Sequence, residues 1–313
     1  MSYQEIYQPL HTIIGADALE YMVEVVKKFG GKKGLVVTDE GLAKIGTLKH
    51  LTDIMDKTGL VYDTYAKVKP NPTAGMVREC HKAYVDGGCD YFVALGGGSA
   101  MDCTKGASIM ATNGGDVKDY EGVNKSKVPG APMIAINTTA GTGSEVTLFY
   151  IITDEERKVK MAMVDPNCLA YAAIDDPVVM AGMPPRLTAA TGMDALTHAI
   201  EAYTANGKFP FTDGLALEAI KLIARFLERA VVNGKDMVAR ENMCWLSTWQ
   251  VLHSPTLVSV SFTLWLTSSA VSTTCHTVNV MLCCFRTACA TTSKSTRRDM
   301  RRSQLLLVFL LMP

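Results

Sequence analysis

The sequence predicts an α/β fold, with a doubly wound parallel sheet in the N-terminal part followed by an all-helical domain. Two patterns predict it. Up to about residue 183, short apolar runs alternate with stretches of helical spacing, as in a parallel sheet covered by helices on both faces. After Pro184-Pro185, helical spacing continues with no strand between the helices. At 313 residues and 48% apolar, the chain can fill sizeable cores.

In chain order, Asp17–Phe29 has apolar residues at helical spacing (Leu19, Met22, Val23, Val26), and Gly30-Gly31 stops that helix. Gly34–Asp39 is a short apolar run, the mark of a strand buried on both faces. A helix over Leu48–Thr58 and a strand over Leu60–Tyr65 follow, then a helix over Ala74–Asp86. Tyr91–Leu95 and Met133–Asn137 are further buried strands. Arg186–Thr204 and Thr212–Val232 are helices. A boundary near Met183 therefore separates residues 1–183 from a helical domain that begins over 184–245. No internal repeat is evident.

The charge balance, 31 basic against 31 acidic residues, argues against a general nucleic-acid binder, which needs a basic surface to displace counterions. The N-terminus lacks the basic start and apolar run of a secretory signal. Nine cysteines are too sparse for a disulfide scaffold, so the expected compartment is the cytoplasm.

Four groups of residues carry chemistry. Gly96-Gly97-Gly98-Ser99 follows a strand and opens a helix, so the backbone can approach a ligand and the helix N-terminus can offer amides to a phosphate. The fingerprint G-x-G-x-x-G is absent, because Met101 holds its last position; a plain tight turn is the alternative reading. Thr138–Glu145 repeats the arrangement after Met133–Asn137, with hydroxyls on Thr138, Thr139, Thr142 and Ser144. Two such loops at the carboxyl ends of parallel strands form one crevice. Asp39 ends the first strand, where its carboxylate either accepts the hydroxyls of an adenosine ribose or caps a helix. Asp194 and His198 share one helix face, one turn apart; they are either half of a divalent-metal site or a hydrogen-bonded pair.

These motifs together resemble the iron-containing (group III) alcohol dehydrogenases. The likeness rests on Gly96–Ser99 with Asp102 and Lys105, on Asn137–Thr147, on Asp154-Glu155, on Met183-Pro184-Pro185 and on Ala190–Glu201, and it runs from about Tyr7 to Met243. It implies a dinucleotide-binding domain, a helical metal-binding domain and a cleft between them. It assigns NAD contacts to Asp39, Asn71, Gly98, Ser99, Thr138, Thr139, Thr147 and Lys160; Gly97, Asp102 and Thr142 complete the candidate cofactor set. It makes Asp194 and His198 the first two ligands of Fe²⁺, or of Zn²⁺ or another divalent ion. The implied reaction interconverts small primary alcohols or diols with aldehydes, with the metal as Lewis acid. No dedicated general base stands out. The resemblance also suggests a homo-oligomer, with neither nucleic acid nor membrane as partner. A glycerol-dehydrogenase-like or dehydroquinate-synthase-like sister enzyme is the rival within the fold; the Asp194–His198 motif and the Thr138–Thr147 loop favour the group III enzymes.

The tail, 246–313, stands apart. Thr256–Phe285 carries no formal charge, Asp299 is the sole acidic residue after 245, and Cys275, Cys283, Cys284 and Cys289 crowd there. The family's two further ligands, histidines in V-H-A-M-A-H-like and L-P-H-G segments, are missing; His253 and His276 have the wrong neighbours. Translation out of frame beyond about Cys244 explains all of this. Taking the last base of each codon with the first two of the next, Ser261–Ser268 permits Val-His-Ala-Met-Ala-His-Gln, and Thr274–Thr287 permits a Leu-Pro-His-Gly segment in the same frame. The helical domain is then incomplete, and the alternative to the dehydrogenase function is that the literal chain is a catalytically inactive nucleotide-binding remnant. A membrane span, a zinc site and a basic arm each fit the tail worse: it has many Ser and Thr, no suitable C-x-x-C pairs, and a short run at Arg297–Arg302 without aromatic interleaving.

Overall fold

A computed structural model describes residues 5–204 and 210–251. The sequence expectations for the tail beyond 251, including His253 and His276, lie outside the described residues.

Strand β1 (His11–Ile14) leads through a 3-10 turn into α1 (Met22–Phe29), which Gly30 ends in the left-handed conformation at φ 72°. Then come β2 (Lys33–Asp39), α2 (Glu40–Lys44), α3 (Thr47–Thr58) and β3 (Val61–Val68). Helix α4 (Ala74–Asp86) starts from Thr73, whose hydroxyl accepts from the Met76 amide at 3.3 Å. Next are β4 (Tyr91–Gly96), α5 (Gly98–Asn113), β5 (Gly122–Val123), β6 (Met133–Asn137), β7 (Phe149–Asp154), β8 (Val159–Val164) and β9 (Ala172–Asp175). The remainder is helical: α6 (Pro177–Met180), α7 (Pro185–Thr204), α8 (Pro210–Val232) and α9 (Met237–Val251). Helix α9 runs on past residue 245 to Val251.

Six strands form one sheet, in the order β1-β9-β6-β4-β2-β3, and every pair is parallel. Alternate residues of each central strand feed opposite cores. Leu35, Phe92, Ala94 and Met133 pack with Val77 of α4 and Met101 and Ala107 of α5. Val36, Val93, Leu95 and Ile134 pack with Met22 and Val25 of α1 and Leu51 and Met55 of α3. Each large apolar side chain so buried contributes about 1.5–3 kcal/mol, which is why both faces of these strands read as apolar runs. A third core joins α7, α8 and α9 through Ala195, Ala199, Ile220, Ile223 and Met243.

The predicted strands and helices are present, and Leu60–Tyr65 extends to Val68 as β3. Strands β1, β5, β7, β8 and β9 are additional. Three of them are four residues or fewer, too short to show a period. The other two form an antiparallel hairpin, with β5 beside β8. Strand β7 is buried at Tyr150, Ile152 and Asp154 and partly open at Phe149, Ile151 and Thr153, so it alternates rather than running apolar throughout. Asp39 therefore ends the second strand of the chain, not the first. Among the described residues no helix is long and apolar enough to cross a membrane.

Candidate active site

The strand order places the site. Strand β3 lies on one side of β2 and β4 on the other, so the chain reverses its winding direction between β2 and β4. In open parallel sheets, ligands sit at the carboxyl edge of such a reversal. A cavity of about 810 Å³ opens there, within the range of small-molecule and cofactor sites. Asp39, at the end of β2, and Gly97, Gly98 and Ser99, after β4, line it.

Helix α5 starts at Gly98, so its first-turn amides point into the opening. A glycine is needed at Gly97, where a Cβ would lie 2.9 Å from Thr139 Cγ2; a Cβ on Gly98 would make ordinary contact, 3.4 Å from Thr142 Cγ2. The two loops are thus packed face to face. Thr138 ties them: its amide donates to the Gly96 carbonyl at 3.1 Å. Thr139, Thr142 and Thr147 line the cavity, whereas the Thr138 side chain is buried and does not. The second loop also differs from the first in leading to a 3-10 turn (Ser144–Val146) and then β7, so it offers no α-helix N-terminus.

Asp39 serves as a cap and as a wall residue at once. Its Oδ1 accepts from the Leu42 amide at 2.9 Å to start α2, which leaves Oδ2 for a ligand. Asn71 lines the opposite wall at φ 56°, a left-handed conformation that an Asn tolerates at some cost. Lys160 on β8 stands in register with Thr153 on β7, and both line the cavity. Phe149 and Ile151, on the same face of β7 as Thr153, line it too, as do Lys67, Lys69 and Thr191. These wall residues were not expected from the sequence; the alternation of β7 before the polar turn Glu155–Lys158 is the signal that marks the hairpin.

Asp102 faces the cavity from α5, partly covered. It accepts from Ser144 Oγ at 3.0 Å and from the Ile151 amide at 3.1 Å. Burial pushes its carboxyl up to about 6, against the pull of Lys105, the Ile151 amide and the Ser144 hydroxyl. Lys105, one turn on, is fully buried and donates to the carbonyls of Thr147 and Phe149, each at 2.8 Å.

The far end of the cavity reaches α7. Asp194 Oδ1 lies 3.9 Å from His198 Nε2, too far for a hydrogen bond but suited to two donors facing a shared space. Burial raises the Asp194 carboxyl above its ordinary range, while His198 pulls it down. The Nδ1 atom of His198 is buried without a hydrogen-bond partner. One carboxylate and one imidazole fit a divalent first-row ion in donor type. Among the described residues no group of three or more His, Cys, Asp or Glu side chains gathers into a metal site.

The loop and α7 meet closely. A Cβ on Gly141 would lie 2.3 Å from the Thr191 carbonyl oxygen, so the 138–147 loop rests directly on the helix that carries Asp194 and His198.

Comparison with known proteins agrees with this layout. The model of the family "Iron-containing alcohol dehydrogenase" matches residues 9–177, and that of the "Fe-containing alcohol dehydrogenase family, C-terminal" matches 188–306. Alcohol dehydrogenase 4 of Schizosaccharomyces pombe is 45% identical over 245 residues, which is 78% of this chain and 58% of the relative. A crystal structure of 1,3-propanediol oxidoreductase superposes with a TM-score of 0.79 at 40% identity, covering 81% of this chain and 66% of the other. Sulfoacetaldehyde reductase from Bifidobacterium kashiwanohense in complex with NAD+ superposes at 0.76 and 32% identity, covering 81% and 67%. The chain spans only 58–63% of the length of the first curated relatives it matches.

Proposed function

Because this chain belongs to the iron-containing alcohol dehydrogenase family, we propose that its cavity binds NAD and a divalent ion and interconverts small primary alcohols or diols with aldehydes. One observation carries the reading. The winding reversal brings Asp39 and the Gly97–Ser99 turn to one end of a cavity whose other end holds Asp194 and His198.

Each residue has a role within that reading. The amides of Gly98 and Ser99 receive a pyrophosphate, and the glycines keep Cβ atoms out of its path. Asp39 accepts ribose hydroxyls through Oδ2 and repels the extra phosphate of NADP. Thr139, Thr142, Thr147, Asn71 and Lys160 supply polar wall contacts, and Thr138 secures the loop that carries three of them. Asp102 orients the nicotinamide half through a carboxylate already fixed by Ser144 and Ile151. Asp194 and His198 hold Fe²⁺, or Zn²⁺ or another divalent ion. A bound ion would supply Lewis-acid polarisation of an alcohol oxygen, and bound NAD would supply the hydride acceptor. Phe149 and Ile151 keep water from the wall between the two ends. A division of the chain near Met183, with the cofactor side before it and the metal side after it, belongs to the same reading.

We also propose that the chain beyond about Cys244 is out of frame; the two histidine motifs that reappear in the alternate frame support this, whereas the match of the family's C-terminal model through residue 306 speaks against it. The nucleotide sequence decides it directly: absence of those codons overturns the reading.

The functional test uses the purified 313-residue chain. NADH titration by fluorescence should show binding, and Asp39→Ser should let NADPH compete at least about tenfold better relative to NADH, the loss of one charge repulsion. Metal content and alcohol-dependent NADH formation then separate two outcomes. Stoichiometric metal with turnover supports the dehydrogenase reading, and nucleotide binding without either supports the inactive remnant. No NADH binding at all refutes both.

A further inference from the structure

We propose that Lys67 and Lys69 are specificity-determining residues of the nucleotide site: they form a cationic wall beside Asp39 that fits a phosphate on the adenosine ribose, so that Asp39 alone turns NADP away. The proposal rests on the NAD reading above.

Strand register builds that wall. Val37 of β2 faces Tyr65 of β3, but Asp39 faces Val68, so the pairing slips by one residue and Ala66 and Lys67 together stand opposite Thr38. A bulge of this kind re-aims side chains, and bulges gather beside functional sites. Here it sets Val68 opposite Asp39, with Lys67 before it and Lys69 after it. Val68 is buried, whereas Lys67 and Lys69 are exposed and line the same cavity as Asp39. Neighbouring strands lie about 4.8 Å apart, a gap that a four-carbon lysine stem can cross.

Strand order decides which part of a dinucleotide these lysines meet. Along the carboxyl edge of the sheet, β4 carries the Gly97–Ser99 turn, β2 comes next with Asp39, and β3 lies beyond it with Lys67 and Lys69. The α5 amides take the pyrophosphate at β4 and Asp39 takes the ribose at β2. The lysines therefore stand on the outer side of the ribose, away from the pyrophosphate.

The charges there favour an added anion. Asp39 has one oxygen tied to the Leu42 amide. Glu40 also lines the cavity, but Lys44 pairs with it at 3.3 Å. Neither Lys67 nor Lys69 makes a hydrogen bond or an ion pair among the described residues. Lys160, farther along, belongs to the same wall: the Thr153 amide donates to the Pro72 carbonyl at 2.8 Å, and Lys160 stands in register with Thr153. A phosphate monoester carries a charge of about −1.5 to −2 at pH 7. Two unpaired ammonium groups attract it, and the Asp39 carboxylate opposes it from the same place.

The test compares four full 313-residue chains: wild type, Asp39→Ser, and Asp39→Ser with both lysines changed either to Gln or to Arg. Each is titrated with NADPH and with NADH by fluorescence, at low and at high salt. Asp39→Ser should raise the NADPH-to-NADH affinity ratio at least about tenfold. Adding Lys67→Gln and Lys69→Gln should lower that ratio about three- to tenfold. The Arg pair should keep it, and high salt should shrink the gap between the Gln and Arg pairs. A ratio unmoved by the Gln pair, with both affinities falling alike, would put the lysines at the pyrophosphate and overturn the proposal. Equal losses for the Gln and Arg pairs, the mark of a merely structural role, overturn it too. Where thermal unfolding shows that a paired change does not fold, Lys69→Gln alone, just past the end of β3, should lower the ratio about twofold. Wild type that binds no NADH refutes the nucleotide reading itself, and this proposal falls with it; NADH binding with an unmoved ratio refutes this proposal alone.

Discussion

Replacing Lys105 with methionine removes one buried cation while leaving the volume of the side chain nearly unchanged. The ammonium donates to the carbonyls of Thr147 and Phe149 at 2.8 Å, to Thr147 Oγ1 at 3.2 Å and to Ser144 Oγ at 3.4 Å. Hydrogen bonds from a charged donor contribute about 1.5–3 kcal/mol each, so the two short ones represent roughly 3–6 kcal/mol. Relief from holding a desolvated cation offsets part of this, and the expected loss is about 3 kcal/mol. Charge adds a pH dependence. Lys105 also pulls down the Asp102 carboxyl, which burial has already pushed to about 6. A carboxyl raised in the folded state gives stability that is complete below its ordinary 3.8 and lost as pH rises through the folded value. Without Lys105 that value climbs further, so the deficit of the variant should widen between pH 4.5 and pH 8. Urea unfolding at the two pH values measures both effects, with an unchanged m-value showing that the unfolded state is not the cause. A deficit below about 1 kcal/mol at pH 8, or one equal at both pH values, would refute the assignment of Lys105 as the buried tie between α5 and the segment 144–149.

Gly141→Ala should destabilise by at least about 2 kcal/mol, because its Cβ would meet three atoms of Thr191 at 2.3–2.7 Å, two of them backbone. Thermal unfolding checks this, and a neutral result would mean that the loop does not rest on α7. Asp154 is held well below the carboxylate range by Arg157 at 2.6 Å and Lys118 at 3.1 Å. A depressed carboxyl gives stability present above its ordinary value and lost as pH falls through the folded one. Asp154→Asn should therefore lower Tm at pH 7 and converge with wild type in acid; parallel curves would contradict the clamp on the β7–β8 turn.

Most of the sheet and the helices were legible because they obey local rules. Val36, Val93 and Ile134 sit in short apolar runs since both faces of their strands are covered, and Ala74–Asp86 shows its helix through spacing and glycine punctuation alone. The β7–β8 hairpin was less legible. Its buried Asp154 breaks the apolar pattern, and that residue is tolerable only because Arg157 and Lys118 neutralise it. Of the candidate site residues, Asp39, Asn71, Gly97, Gly98, Ser99, Asp102, Thr139, Thr142, Thr147, Lys160, Asp194 and His198 do meet around one cavity. Thr138 differs from Thr139 by one position in a loop, and nothing in the order of four hydroxyl residues tells which side chain turns inward.

The sequence by itself determined the local elements, the two glycine-bearing turns and the one-turn spacing of Asp194 and His198, since each depends on residues within a few positions of one another. Only the tertiary structure decided the strand order, and with it the place of the cavity. Pairing of β2 with both β3 and β4 is a contact between residues roughly 30–60 positions apart, and sequence spacing carries no record of it. The same is true of Lys105 beneath Thr147. It is an ordinary charged residue in the sequence, and enclosure by elements that arrive from elsewhere in the chain gives it its chemistry.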